Sequence, residues 1–240
     1  ADDSALRLRI REITETRVHY GYRRVHVMLK REGWRDNHKR VYRLYREQGL
    51  SLRLKRPRRN KSALKRQPQP QGLYPNHVWG MDFVSDALFD GRRLRLLTVI
   101  DLYTRECLGI CVGQNLRSSE VAEMLDTIAL RRPLPQLLKT DNGSEFAGKM
   151  LDKWVYERDI RIDFSRPGTP TDNATVESFN GRLRQECLNE NWFMSKEDAR
   201  CKIEVWRIHY NQSRPHSALG WMTPCEFAEK SAGCQNKQPT

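Results

Sequence analysis

Apolar positions along this chain recur with two different periods, and the change from one to the other divides it. Between residues 3 and 16 they fall three and four apart (Leu6, Ile10, Ile13), the spacing of one helix face, with Asp2 and Asp3 near its positive end. Val25, Met28 and Leu29 predict a short helix over 23–31, ended by Gly33. Val41, Leu44 and Tyr45 predict a third, capped by Asp36 or Asn37, running to Gln48 and stopped by Gly49. From Tyr74 the period drops to two. In residues 77–84, Trp79, Met81 and Phe83 share one face, and Val78, Gly80, Asp82 and Val84 share the other. Strands are expected at 78–84, 94–101 and 106–112, with Asp90-Gly91 as the hairpin turn between the first two. A helix capped by Ser118 and running to about Leu130 follows, then a strand at 135–140, a helix at 144–158 and a strand at 161–164. After a Pro-Gly-Thr-Pro loop, Asp172 or Asn173 caps the helix that carries Glu177. Helix starts at 195–198 and 223–226 complete a helical tail, which Trp206, Tyr210, Leu219 and Trp221 are expected to dock on the core.

Charge sharpens this division. The chain carries 43 Lys+Arg against 30 Asp+Glu, a net of +13. Residues 1–70 hold 21 basic and 7 acidic side chains, so the excess sits in the N-terminal third and the remainder is nearly neutral. Such a basic segment is suited to a polyanion. The organisation expected is a helix-turn-helix-like DNA-binding module at 1–50, a basic Pro/Gln-rich linker at 51–73, an α/β catalytic core at 74–190 and a helical extension at 191–240. Lys39, Arg40, Arg43 and Arg46 line one face of the third helix, and Arg53, Lys55, Arg56, Arg58, Arg59 and Lys61 punctuate the linker; all are candidate phosphate contacts. No apolar run is long enough to span a bilayer and no signal peptide is visible. The six cysteines form no CxxC pair, which suits reduced thiols in a cytoplasmic protein. The chain begins at Ala1, as a trimmed form or the tail of a longer product would.

The candidate chemistry lies in three carboxylates. Asp82 sits mid-strand with Gly two residues before it, where an Asp is costly without a partner. Asp141 stands in an Asp-Asn-Gly turn directly after an apolar run, where a strand ends. Glu177 follows 36 positions later on a helix, and Asn180, Gly181 and Arg184 recur after it at +3, +4 and +7, all on one face. A stripe of carboxylate, amide, bare backbone and guanidinium fits a phosphodiester with a divalent cation better than an apolar core. Asp86 and Asp90 suit turn chemistry, and Asp101 is expected to end the second strand and pair with Arg105.

Strand-borne Asp, strand-end Asp and helix-borne Glu, with 35 residues between the last two, resemble the DDE signature of transposases and retroviral integrases. The chain is most similar to the bacterial insertion-sequence transposases of the insertion sequence three family, whose product is made from two overlapping reading frames, and it looks like the downstream-frame part. Four motifs carry the resemblance across nearly the whole chain: W-x-x-D at 79–82, T-D-N-G-S-E-F at 140–146, P-G-x-P-x-D-N-A-x-x-E-S-F at 167–179 and Y-N-x-x-R-P-H-x-x-L at 210–219. The order of strands and helices and the resemblance both imply a ribonuclease H-like core with a mixed five-stranded sheet.

Three converging carboxylates do not all stay ionised without cations, and oxygen-only ligands select Mg²⁺ or Mn²⁺. Two ions are expected, with Asp82 bridging both, Asp141 on the first and Glu177 on the second. The attacker is water for nicking or a DNA 3′-OH for strand transfer. No nucleophile constellation and no GxxxxGK[ST] loop appears, and His216 is a weak candidate for contact with DNA. The resemblance implies that Arg184 holds phosphate, with Asn180 and Asn173 as lesser DNA contacts or caps. It further implies action as a homo-oligomer on double-stranded element ends and target, an upstream-frame protein as partner, weak end binding by this chain alone, and a nucleoid-associated location. Two other classes remain: a ribonuclease H-like nuclease that cuts without joining, and an inactive relic that only binds DNA.

Overall fold

The computed structural model describes residues 3–52, 72–141, 143, 146, 148–165 and 174–235. Two compact units divide the chain between Gln67 and Pro68.

In the first unit, α1 (Ser4–Thr16), α2 (Tyr22–Arg31) and α3 (His38–Glu47) bury one small core. Leu6, Ile10, Ile13, Val25, Leu29, Val41, Leu44 and Tyr45 fill it, the stripes that the period of three and four marks out. Asn37, rather than Asp36, caps α3: its side chain accepts from the Arg40 N–H at 2.8 Å. Gly33 and Gly49 end α2 and α3 with φ of 92° and 71°, which an L side chain rarely adopts.

The second unit is built on a sheet of order β3-β2-β1-β4-β5. Strands β1 (Val78–Ala87), β2 (Arg93–Asp101) and β3 (Cys107–Gly113) form an antiparallel meander; β4 (Leu137–Thr140) and β5 (Arg161–Phe164) join parallel. Helices α4 (Ser118–Ala129) and α5 (Lys149–Tyr156) belong to one core, with Trp79, Met81, Leu97 and Leu138. Helices α6 (Ala174–Glu186) and α7 (Lys196–Gln212) belong to the other, with Val78, Val84 and Leu96. The alternation of β1 therefore separates two cores, and Asp82 falls on the α6 side. Helix α8 (Pro224–Gln235) follows a Thr223/Glu226 capping box, with reciprocal bonds of 2.7 and 3.2 Å. Among the described residues no helix is long and apolar enough to cross a membrane.

Three local expectations change. Ser118 is the first helical residue of α4, not its cap; Glu120 reaches back to the Arg117 N–H at 2.9 Å, which satisfies the helix start from N3. The helix expected over 144–158 is the shorter α5. Asp172 and Asn173, expected to cap α6, lie outside the described residues.

Helix α6 positions the site, and three grips hold it. Gly80 admits it to β1, since a Cβ there would stand 2.5 Å from Val176 Cγ2. Arg105 donates to Thr175 Oγ1 at 2.6 Å near its start. At its end Glu186 accepts both arms of Arg214, at 2.9 and 2.6 Å, in a pair with Arg214 only 2% exposed. Arg214 belongs to the Y-N-x-x-R-P-H-x-x-L segment. Tyr210 and Trp206 of α7 pack edge-on against Phe179 of α6, and Leu219 is buried as well. Asn211 closes the sheet edge: its side-chain amide bonds both the N–H and the C=O of Cys107 on β3 at 2.9 Å, with Arg207 and Arg200 on the Cys107 and Val112 carbonyls.

Candidate active site

The parallel register of β1 and β4 brings the first two acids together. Gly80 lies opposite Lys139, the last pair of that ladder; Asp82 follows two residues further along β1 and Asp141 comes directly after the end of β4, within electrostatic reach of Asp82. Helix α6 passes over this face, with Glu177 adjacent to the Val176 that packs on Gly80.

Asp82 is half-buried and held on two sides. Its Oδ1 accepts the Phe83 N–H at 2.7 Å, and its Oδ2 accepts Asn180 Nδ2 at 2.8 Å. Asn180 is held in turn by Thr98, whose Oγ1 lies 3.0 Å from Asn180 Oδ1 and 3.1 Å from the Asp82 carbonyl. Thr98 stands directly opposite Asp82 across the β1–β2 ladder. Asp82 titrates at about 6: burial raises it most, the Asp141 and Glu177 charges add to this, and the two hydrogen bonds lower it. Each of the other acids thus lies within electrostatic reach of Asp82. Asp141 makes an Asx turn, Oδ1 accepting the Gly143 N–H at 3.0 Å. Glu177 is exposed and, like Asp82 and Asp141, has no ion pair among the described residues. The nearby buried cation, Lys139, pairs instead with Asp163 at 3.6 Å. Among the described residues no three acidic, His or Cys side chains stand close enough to form a ready-made metal cage. The oxygen-only set, the uncompensated charge and the raised Asp82 nonetheless fit a hard divalent cation.

Other expected residues fall in various places. Arg184 is exposed and donates one N–H to the Ser85 carbonyl at 2.9 Å, one of the five donors of its guanidinium. Asn180, read from the sequence as a DNA contact, is only 9% exposed and is spent on Asp82 and Thr98, because the +3 position of α6 turns toward the sheet. On α3, Arg40 pairs with Asp3 and Asp36, and Arg43 with Asp3 and Glu47. Arg46 lies over the Tyr42 ring, and Lys39 is exposed. Arg53, Lys55, Arg56, Arg58, Arg59 and Lys61 lie outside the described residues. The Asp101 carboxylate accepts three backbone N–H groups, from Asn76, Tyr103 and Thr104, and the Arg105 guanidinium lies within its electrostatic reach while donating to Thr175. His216 packs edge-on to Tyr210 at 4.8 Å, within the docked tail. Thr98 is the residue that sequence reasoning missed. Its one signal was a hydroxyl inside the apolar run of β2.

Comparison with known proteins adds an independent line. Residues 73–170 and 158–224 match two models of an integrase core domain, and residues 1–59 match an HTH-like domain. A 31.7 kDa protein of insertion element IS407 from Burkholderia multivorans is 44% identical over 95% of this chain and 82% of its own length. A putative transposase, InsK of insertion sequence element IS150 from Escherichia coli, is 32% identical over 93% of this chain and 82% of its own. Among solved structures, the catalytic core domain of HTLV-2 integrase in complex with magnesium superposes with a TM-score of 0.52 at 20% identity, covering 65% of this chain and 99% of that domain.

Proposed function

Since the chain belongs to the insertion-element transposases with an integrase core, we propose that Asp82, Asp141 and Glu177 are its catalytic, metal-holding residues in 3′-end cleavage and strand transfer. The observation that supports this reading is the convergence of the Asp141 and Glu177 charges on Asp82 at the adjoining ends of β1 and β4, with no cation from the described residues to neutralise them. Mg²⁺ or Mn²⁺, two ions in the active state, would supply Lewis acidity and activate the attacking oxygen when bound.

The side chains divide the remaining work. The Asn180 amide and the Phe83 N–H fix the Asp82 carboxylate in one orientation and leave its other lone pairs free. The Gly143 N–H does the same for Asp141. Glu177, bound to nothing among the described residues, is free to turn toward the aspartates. Arg184 takes a phosphate of the substrate strand through its remaining N–H groups. In cleavage, water oxygen bonds to phosphorus and the P–O3′ bond breaks, leaving a 3′-OH on the element. In joining, that 3′-OH attacks a target phosphorus and releases a target 3′-OH. One phosphodiester replaces another, so no nucleotide cofactor is required.

The helical unit at 1–50 and the basic 51–73 segment hold duplex DNA in this reading, the core at 74–190 does the chemistry and 191–240 braces α6. The chain works as a homo-oligomer on paired ends in the cytoplasm, at the nucleoid, with an upstream-frame protein as partner. The test is incubation of labelled element ends with target duplex and Mg²⁺. Joined products that vanish with Asp82→Asn or with a chelator support the reading; nicked but never joined ends reduce it to a nuclease.

A further inference from the structure

Two glycines bear on α6, and the protein accounts for only one of them. A Cβ on Gly80 would collide with Val176 and Leu102, at 2.5 and 2.8 Å, so packing requires that glycine. Gly181 is different. It lies inside α6 rather than at its end, four residues after Glu177 and three before Arg184. Its φ is not positive, and a Cβ there would meet no atom within 4 Å. Glycine weakens a helix interior relative to alanine, because it loses more backbone freedom on folding. Neither backbone geometry nor a described neighbour calls for that loss.

We infer that the substrate calls for it: the sugar–phosphate backbone of one DNA strand lies against the bare α6 backbone at Gly181, between the Glu177 carboxylate and the Arg184 guanidinium. This rests on the reading of Glu177 and Arg184 given above. Those two residues and Gly181 are all exposed. Seven residues of helix span about 10 Å, roughly three steps of a duplex strand at about 3.4 Å each. A strand held by Arg184 and delivered to Glu177 must therefore pass Gly181, and a side chain there lifts it away from the carboxylates. Gly181 sets the clearance between enzyme and substrate without offering a side chain of its own.

The inference sets stability against function. In the full chain, Gly181→Ala raises the melting temperature by about 2–4 °C. It leaves Mn²⁺ affinity, measured by calorimetry without DNA, within about twofold, since the added methyl touches no carboxylate. Affinity for a fluorescein-labelled duplex, measured by anisotropy in Ca²⁺, falls for Gly181→Ala and further for Gly181→Leu. Strand transfer falls by about 10-fold and about 100-fold respectively. Wild-type DNA affinity and joining in both variants overturn the inference, as does a parallel loss of Mn²⁺ binding. A wild-type chain that binds duplex without joining, while Gly181→Leu loses binding, sinks the proposed reaction and leaves this contact standing. No duplex binding by the wild-type chain sinks both.

Discussion

Two groups of acids lie around the same sheet and are treated in opposite ways. Where β2 turns into β3, Asp101 is buried, yet three backbone N–H groups converge on it, and Glu106 accepts both arms of Arg132 at 2.9 and 2.7 Å. There the protein supplies the hydrogen-bond donors and, in Arg132 and Arg105, the cations. At Asp82, Asp141 and Glu177 it supplies an amide, two backbone N–H groups and no cation among the described residues. Burial raises both Asp82 and Asp101, so burial alone does not mark a site. What separates the two groups is whether the fold completes the electrostatics itself.

The sharpest way to test that contrast is to neutralise one acid of each group. Asp82→Asn or Glu177→Gln is expected to lower strand transfer by on the order of 10³-fold or more, with the circular dichroism spectrum unchanged. Glu106→Ala should do the reverse. It strands the Arg132 guanidinium and lowers unfolding free energy by about 3 kcal/mol in urea titration, while activity per folded molecule stays near wild type. A smaller effect separates the groups by pH. Because the folded Asp82 pKa, about 6, exceeds its ordinary 3.8, the folded state binds the proton more tightly. Its stabilising contribution is complete below that ordinary value and is lost as pH rises through about 6. Metal-free Asp82→Asn should therefore be about 2 kcal/mol more stable than wild type at neutral pH, and the gap should close near pH 4. Equal stability at both pH values would remove the electrostatic half of the argument. Smallest is Asn180→Ala, expected to cost about 10-fold in joining and to move the acidic limb of its pH profile upward, since the amide bond lowers Asp82. A profile unmoved on the pH axis would reduce Asn180 to packing.

The sequence displays these acids because each breaks a pattern: Asp82 interrupts an alternating strand, Asp141 ends one, and Glu177 begins a polar stripe. The two cores are legible for the same reason, as the odd and even positions of β1 sort into them. What the sequence hides is pairing at long range. Thr98 reads as an ordinary strand former, and only the seating of α6 brings Asn180, 82 residues away, to its hydroxyl. Asn211 looks like any helix-end amide until it is seen standing in for a missing strand at Cys107, 104 residues away. The sequence does not show that Asn180 bonds Asp82 and Thr98, because +3 and +4 share a helix stripe, yet +3 is buried and +4 exposed once one side is covered.

The parallel pairing of β1 with β4 has a practical corollary. The ladder that joins Val78–Gly80 to Leu137–Lys139 carries Asp82 and Asp141 to the same end of the sheet, so the length of chain joining them has little bearing on their placement. Extra residues spliced into the Asp90–Gly91 hairpin, such as a fluorophore tag, should leave the two aspartates unmoved. Relatives are free to vary greatly in how far apart these residues are numbered while sharing one geometry.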